Sequence, residues 1–173
     1  MKESYPDGLG CKDVAVLLSR KKAEAYGVID DLTLLIACDT LVCLKGKILG
    51  KPACYDDAVE MLVQLSGNMH EVITAVTLRS SNKIKSFYVS SKVYFKSLKI
   101  DDIEEYVRSW KPYDKAGGYG IQECYSEKGD MLSPVAIEKI EGSYSNVVGL
   151  PLEELKVQLQ LFTDKYFKDI SPQ

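Results

Sequence analysis

The sequence predicts an α/β fold whose sheet is at least partly antiparallel. A nearly continuous apolar run from Leu32 to Leu44 is followed by the tight turn Lys45-Gly46 and the short segment Lys47 to Leu49, which is typical of a β-hairpin. Two longer runs, Val72 to Leu78 and Ile84 to Phe95, are joined by a short polar link and indicate a second strand pair. Segments with helical periodicity separate these strands, which completes the α/β pattern.

The first predicted helix runs from Lys12 to Tyr26 and ends at Gly27, a residue typical of a helix C-terminus. Its buried face is ambiguous, because two stripes are spaced for one side of a helix. One stripe consists of Val14, Leu17, Leu18 and Ala25. The other consists of Ala15, Leu18, Ser19, Lys22 and Tyr26. The second stripe predicts that Lys22 points toward the interior.

Three further helices and one further strand are predicted downstream. Asp57, followed three residues later by a glutamate, has the spacing of a capping box and predicts the start of the second helix. A third helix covers about Asp101 to Trp110, and a strand follows near Val135 to Ile140. Pro151 suits the first turn of the last helix. We expect residues 1–173 to form a single domain.

The composition is ordinary for a soluble globular protein, with 46% hydrophobic and 27% charged residues among 173. The net charge of −3 and the scattered basic residues do not predict a nucleic-acid surface. The five cysteines form no Cys-x-x-Cys pair, so we expect reduced thiols and a cytoplasmic protein. The only histidine, His70, has no zinc-ligand spacing around it and is expected to be a half-buried strand residue. No apolar run reaches about 18 residues, so no membrane span is predicted.

Four features could carry chemistry. Asp39 lies within the apolar run, where an unpaired carboxylate would cost several kcal/mol or take up a proton. Lys51 follows the hairpin in a Gly-Lys-Pro turn, and the segment Asp114 to Gln122 contains three glycines that allow close backbone approach to a ligand. The segment Gly142 to Pro151 is the fourth. Each feature alone is more typical of a structural element, but the four together, in this order, do not look like a chance arrangement.

The combination closely resembles the Maf family of nucleoside triphosphate pyrophosphatases, from about Glu3 to Leu159. The segments that carry the resemblance are Lys21 to Ala23, Ala37 to Val42, Ile48 to Pro52, Leu65 to Val72, Asp114 to Gln122 and Val148 to Pro151. The pair Asp39-Thr40 and the string Tyr119-Gly120-Ile121-Gln122 are similar to the branch that acts on dTTP and UTP. The branch that acts on 7-methyl-GTP has Asp-Gln at the first of these positions.

The resemblance implies a fold and a reaction. The fold would be an elongated mixed β-sheet flanked by helices, similar to inosine triphosphate pyrophosphatases. The family's opening strand, its Ser-x-Ser-Pro-Arg-Arg turn and the following helix have no counterpart in this sequence, so the chain is expected to be N-terminally shortened relative to the family. In the reaction, water attacks the α-phosphorus of dTTP, UTP or a modified pyrimidine triphosphate. The products are a nucleoside monophosphate and pyrophosphate.

The resemblance also implies residue roles. Asp39 matches the family's proton acceptor and would help to hold a divalent cation, Mg²⁺ or Mn²⁺. Lys22 and Lys51 match lysines that would neutralise the triphosphate and the leaving pyrophosphate. Thr40 and Gln122 fall at positions linked to base choice, since a glutamine amide offers both a donor and an acceptor. Lys115 is expected near the phosphates, and Glu3 is expected to be associated with the metal.

Two other functions remain open at this level. A non-catalytic nucleotide-binding or regulatory protein could keep the pocket without the arginine turn. An enzyme on the related inosine triphosphate pyrophosphatase architecture would prefer purines, which the residues Thr40 and Gln122 do not favour. The resemblance further implies a nucleoside triphosphate as partner, no nucleic acid or membrane, and a homodimer in some family members.

Overall fold

The computed structural model describes residues 5–125 and 133–168. The elements in chain order are α1 (Cys11–Ala25), β1 (Leu35–Leu44), β2 (Lys47–Leu49), α2 (Tyr55–Leu65), β3 (Met69–Arg79), β4 (Ile84–Phe95), α3 (Ile100–Trp110), a 3₁₀ turn (Ala116–Gly118), α4 (Ile121–Cys124), β5 (Ile137–Glu141), α5 (Tyr144–Val148) and α6 (Leu152–Lys168). None of the helices in these ranges is long and apolar enough to cross a bilayer.

The five strands form one sheet in the order β2-β1-β3-β4-β5. The α/β class predicted from the sequence is therefore confirmed. The four strand pairings in the described ranges are all antiparallel, whereas a mixed sheet was expected. Tight turns join β1 to β2 and β3 to β4, and strands connected in this way pair antiparallel. The other two pairs, β1 with β3 and β4 with β5, are joined by longer connections that contain helices.

The helices pack on both faces of the sheet. On one face α1 packs against Leu41, Cys43, Ile73 and Ala75. On the other face the larger core joins β1, β3 and β4 to α2 and α3, and α6 contributes Leu155 and Phe162 beside Val76 and Leu78. Because side chains alternate between the faces of a strand, odd-numbered residues of β1 and β3 face α1, and even-numbered residues face the side covered by α2, α3 and α6.

Helix α1 uses parts of both stripes that the sequence allowed. Ala15, Leu18 and Ser19 of the second stripe are buried, and so is Val14 of the first. Lys22 extends its side chain from this face toward the sheet, as the second stripe predicted. Tyr26, the last member of that stripe, is 66% exposed instead of buried.

Two predicted element boundaries are corrected. Leu32 is 99% exposed and precedes β1, because the backbone N–H of Leu32 and the hydroxyl of Thr33 both donate to the Asp30 carboxylate and form a turn there. Helix α2 begins at Tyr55, two residues before the predicted cap. The Asp57 carboxylate accepts a hydrogen bond from the backbone of Ala53, so it stabilises the approach to the helix rather than capping it.

The expectation of reduced thiols is wrong for two of the five cysteines. Cys11, the first residue of α1, forms a disulfide with Cys43 near the end of β1, across 32 positions of sequence and with a Cα–Cα distance of 6.3 Å. Both residues are buried in the core between α1 and the sheet. Cys38, Cys54 and Cys124 are free thiols. The contact depends on how α1 packs on β1, which cysteine spacing does not reveal.

We expect Cys11→Ser to lower the free energy of unfolding by about 3 to 4 kcal/mol, because the cross-link restricts a loop of this length in the unfolded chain. Urea unfolding under non-reducing conditions measures the change. Cys54→Ser, which removes an exposed free thiol, is the matched control and should unfold like the wild type. Titration of five free thiols in unreduced, denatured protein would contradict the disulfide.

Candidate active site

A cleft of about 290 Å³ lies at the outer edge of β1. Strand β2 pairs with β1 only from Val42 onward, so in the described ranges the edge from Leu35 to Leu41 carries no neighbouring strand. Residues 38 to 42 all line the cleft. Consecutive strand residues point to opposite faces, so the cleft reaches both faces of β1 at this edge. The polar and charged lining residues include Lys22, Asp39, Thr40, Lys51, Asp114, Lys115 and Gln122.

Asp39 is only 4% exposed and lies on the face of β1 that packs against α1. Lys22 of α1 donates a hydrogen bond from Nζ to Oδ1 of this carboxylate and forms a salt bridge with it. The side chain of Lys22 is 43% exposed, so the pair has its acidic member inside and its basic member at the opening. A nearby cation favours the ionised form of a buried carboxylate. The pair therefore accounts for a charge within an apolar strand.

Two further lysines line the cleft. Lys115 forms salt bridges with Asp114, at 3.1 Å, and with Glu123, at 3.9 Å. The hydrogen bond from Lys115 holds the pKa of Asp114 below its usual value, and the charge of Lys51 adds to this effect. Lys51 is exposed and has no salt bridge to the described part of the chain. Its ammonium group is thus available to an anion in the cleft.

The glycine-rich loop, Asp114 to Gln122, is hydrogen-bonded to the turn that carries Lys51. The backbone N–H of Gly117 donates to the carbonyl of Gly50 at 2.9 Å. Gly117 has a φ of 72°, and a Cβ placed on it would lie 3.0 Å from Cγ2 of Val42. Only glycine combines this backbone conformation with such a close approach to β1. The loop and the lysine turn therefore form one wall of the cleft.

Gln122 is exposed and lines the cleft, and the neighbouring backbone is held from behind by Tyr106 of α3. The Tyr106 hydroxyl accepts from the backbone N–H of Gly120 at 3.0 Å and donates to Glu123 Oε2 at 2.6 Å. Burial raises the pKa of Tyr106, so the hydroxyl keeps the proton that it donates. The side-chain amide of Gln122 makes no hydrogen bond within the described ranges. It is therefore left to interact with a ligand.

Thr40 lies on the opposite face of β1 from Asp39. Its hydroxyl is 2.9 Å from the hydroxyl of Thr74, the residue directly opposite on β3. Thr74 is completely buried and in turn donates to the backbone carbonyl of Asn146 at 2.8 Å. Thr40 itself is half-buried and lines the cleft. The sheet register thus places a series of buried hydrogen-bonding groups, Thr74 and the carbonyl of Asn146, behind Thr40.

A second buried group supports the loop from inside the core. His70 is 1% exposed, not half-buried as expected, and its Nε2 lies 2.7 Å from the hydroxyl of Tyr119. Both rings pack edge-on or tilted against Phe95. Burial lowers the pKa of His70 to about 4, so the imidazole is neutral at pH 7. This contact fixes the residue that leads into Gly120 and Gln122.

The residues fit a divalent cation that arrives with a phosphate ligand. No group of three or more histidine, cysteine or acidic residues in the described ranges could hold a metal by itself. The cleft offers the Asp39 carboxylate, while Asp114 is 78% exposed at the rim and paired with Lys115. Mg²⁺ commonly binds through one or two carboxylates plus substrate phosphates. Glu3, the other predicted metal-associated residue, lies outside the described residues.

The structure brings together most of the predicted site residues. Asp39, Thr40, Lys22, Lys51, Lys115 and Gln122 all line one cleft. Sequence reasoning did not identify Thr74, Tyr106, Glu123 or the contact between His70 and Tyr119. It included Asn146 only as part of the segment Gly142 to Pro151. The polar residues His70 and Thr74 in the predicted buried strand were the available signal, because a polar side chain on a buried strand needs a partner.

The fold and cleft define an α/β protein with a cleft of charged and polar residues between a sheet edge and a glycine-rich loop. Residues 2–162 match the Maf-like protein family, and the chain belongs to this family. It is 43% identical over 163 residues to the dTTP/UTP pyrophosphatase of Porphyromonas gingivalis, an alignment that covers 92% of this chain and 78% of that protein.

Relatives in other bacteria carry the same name. The chain is 41% identical over 161 residues to the dTTP/UTP pyrophosphatase of Parabacteroides distasonis, which covers 92% of this chain and 80% of the relative. It is 43% identical over 159 residues to that of Bacteroides fragilis, which covers 91% and 79%. The family predicted from the sequence is confirmed.

We expect His70 to make the protein less stable in acid. The folded state resists protonation of His70 until about pH 4, whereas the unfolded chain takes up this proton near pH 6.5. The stabilisation that comes from keeping His70 neutral is therefore complete above pH 6.5. It is lost as the pH falls from 6.5 to about 4, which lowers the free energy of unfolding by at most about 3 kcal/mol. Urea unfolding at pH 7 and pH 4.5 measures the loss, and His70→Gln, which cannot titrate, should show a smaller one. An equal loss in both proteins would contradict the assignment.

Proposed function

We propose that this protein hydrolyses dTTP, UTP or modified pyrimidine nucleoside triphosphates to the monophosphate and pyrophosphate. The observation that carries the proposal is the single cleft in which a buried carboxylate, three lysines and an exposed glutamine amide converge. Membership of the Maf-like family and the relatives named dTTP/UTP pyrophosphatase support the same reaction. In this role the protein would remove these nucleotides from the cellular pool.

The chemistry requires a base for water and positive charge for the leaving group. A water molecule attacks the α-phosphorus, its oxygen forms the new bond, and the bond to the bridging oxygen of pyrophosphate breaks. Asp39 would accept the proton from this water, and Lys22 would keep the carboxylate ionised until then. Lys51 and Lys115 would neutralise the charge that develops on the departing pyrophosphate.

Asp39 is also the described residue that would hold a divalent cation, Mg²⁺ or Mn²⁺, with Glu3 as a second proposed ligand. When bound, the cation would neutralise phosphate charge and lower the pKa of coordinated water. The salt bridge to Lys22 suits this double role, because the lysine balances the carboxylate before the cation arrives. The site would then be completed by oxygen atoms of the triphosphate.

Base selection would fall to Thr40 and Gln122. Gln122 offers an N–H donor and a carbonyl acceptor, and these complement the alternating acceptor and donor groups of uracil or thymine. Both residues line the same cleft as the phosphate-binding lysines. We further propose a cytoplasmic location, where nucleoside triphosphates are abundant, and a homodimeric assembly, which occurs in some members of the family.

We expect Asp39→Asn to lower kcat for UTP and dTTP by at least about a hundredfold, because general base catalysis contributes roughly 10²- to 10⁴-fold. Pyrophosphate release measures turnover with Mg²⁺ present. Asp101→Asn is the matched control, since this exposed residue lies in the first turn of α3, outside the cleft. Unchanged turnover by the Asp39 variant would show that another group accepts the proton.

The same assay decides between the candidate functions. A panel of UTP, dTTP, CTP, ATP and ITP should show the fastest pyrophosphate release with UTP or dTTP. Faster release from ITP would favour the purine enzyme. Tight calorimetric binding of UTP without pyrophosphate release would instead favour a non-catalytic nucleotide-binding protein.

We expect Lys51→Met to lower kcat/KM for UTP by about 10- to 100-fold, because a charge-assisted hydrogen bond contributes roughly 1.5 to 3 kcal/mol. Binding of UMP, which lacks the β- and γ-phosphates, should change much less. Lys99→Met removes an exposed lysine at the start of α3 and serves as the control. An equal loss of affinity for UMP and UTP would place Lys51 away from the terminal phosphates.

A further inference from the structure

A chain of three oxygen atoms leads from the cleft into the core, and its proton order follows from elementary valence. Thr74 Oγ1 lies 2.8 Å from the carbonyl oxygen of Asn146, which can only accept a hydrogen bond. A hydroxyl carries one proton, so Thr74 gives its proton to this carbonyl. The 2.9 Å contact between the hydroxyls of Thr40 and Thr74 must then be donated by Thr40. The proton of Thr40 is therefore directed away from the cleft.

The inner end of this chain is fixed. Asn146 is completely buried, and its side-chain amide donates to the carbonyl of Val72 at 3.0 Å and to Ser91 Oγ at 2.9 Å. Its carbonyl also accepts from the backbone N–H of Gly149 at 3.1 Å. These contacts hold the Asn146 backbone carbonyl in place. If the proton order were reversed, the lone pairs of the Thr74 hydroxyl would face this carbonyl oxygen, and the hydrogen bond between them would be lost. Such a loss of a buried hydrogen bond is unfavourable.

We propose that Thr74 is a positioning residue that makes Thr40 an obligatory hydrogen-bond acceptor toward the nucleobase. Uracil and thymine carry an imide N–H, whereas cytosine carries an unprotonated ring nitrogen at the same position. A Thr40 hydroxyl that presents only lone pairs accepts from the imide and repels the cytosine nitrogen. The inference rests on the proposed function and specifies how that site prefers uracil and thymine nucleotides to cytidine nucleotides.

The alternative arrangement shows why the inner residue matters. A threonine hydroxyl without an internal acceptor rotates and serves equally as donor or acceptor. Such a residue would hydrogen-bond both uracil and cytosine and would discriminate poorly. Specificity requires an unfavourable contact with the wrong ligand as well as a favourable one with the right ligand. In this protein the fixed proton order supplies the unfavourable contact.

The test compares Thr74→Val, which keeps the shape of the side chain and removes the hydroxyl, with Thr74→Ser, which restores the hydroxyl. Thr77→Val is the matched control. Thr77 is equally buried on the same strand, and its hydroxyl also contacts two polar groups, the hydroxyls of Ser19 and Ser86. It faces α1, however, and does not contact Thr40. The readouts are kcat/KM for UTP and CTP, calorimetric binding of their α,β-methylene analogues, and the melting temperature.

We expect Thr74→Val to reduce the ratio of kcat/KM for UTP over CTP about tenfold, mainly through better use of CTP. The analogues should show the same change in their binding ratio. Thr74→Ser should recover the wild-type ratio, and Thr77→Val should keep it even if it lowers the melting temperature. A folded Thr74→Val protein with the wild-type ratio would overturn the inference, as would an equal change in Thr77→Val.

The inference and the proposed function fail in different ways. If the wild type releases no pyrophosphate from UTP or dTTP, the proposed hydrolysis is wrong, and the binding ratio of the two analogues still tests the proton order. If the wild type hydrolyses UTP but its preference for UTP over CTP does not depend on Thr74, the proposed function is supported and the positioning role of Thr74 is wrong.

Discussion

The salt bridge between Asp39 and Lys22 is the interaction on which the cleft depends. It allows a carboxylate to remain charged at 4% exposure within an apolar strand, and it joins α1 to the edge of β1. Stability alone does not account for such a pair, because replacing a buried ion pair by apolar groups is often neutral or stabilising. A charged pair at the wall of a cleft is better explained by chemistry that needs the carboxylate ionised.

The open edge of β1 lets one strand serve two purposes. Asp39 faces α1, whereas Thr40, the next residue, faces the opposite core and contacts Thr74. Alternation along a strand therefore separates the proposed proton acceptor from the proposed base-selecting residue by one position. A ligand lying across the edge can reach both. This geometry requires that β2 pair with β1 only beyond Leu41, as it does.

The glycine-rich loop owes its shape to groups in the core. Gly117 bonds to the carbonyl of Gly50, the hydroxyl of Tyr106 accepts from Gly120, and Tyr119 contacts His70. Glycine is flexible by itself, so these hydrogen bonds reduce the number of conformations that the loop can adopt. A loop held in this way can present Gln122 in a constant position without a ligand.

The sequence alone determined the α/β class, both ends of β4 and the family, because these depend on local periodicity and on short ordered motifs. It also identified Asp39 and Lys51 from a charge in an apolar run and a lysine in a turn. The tertiary structure decided the disulfide at Cys11, the partner of Asp39 and the contact from Thr40 to Thr74. Each of these joins residues 17 to 34 positions apart through helix packing or strand register. Packing and register are set by the whole core, so a local pattern does not encode them.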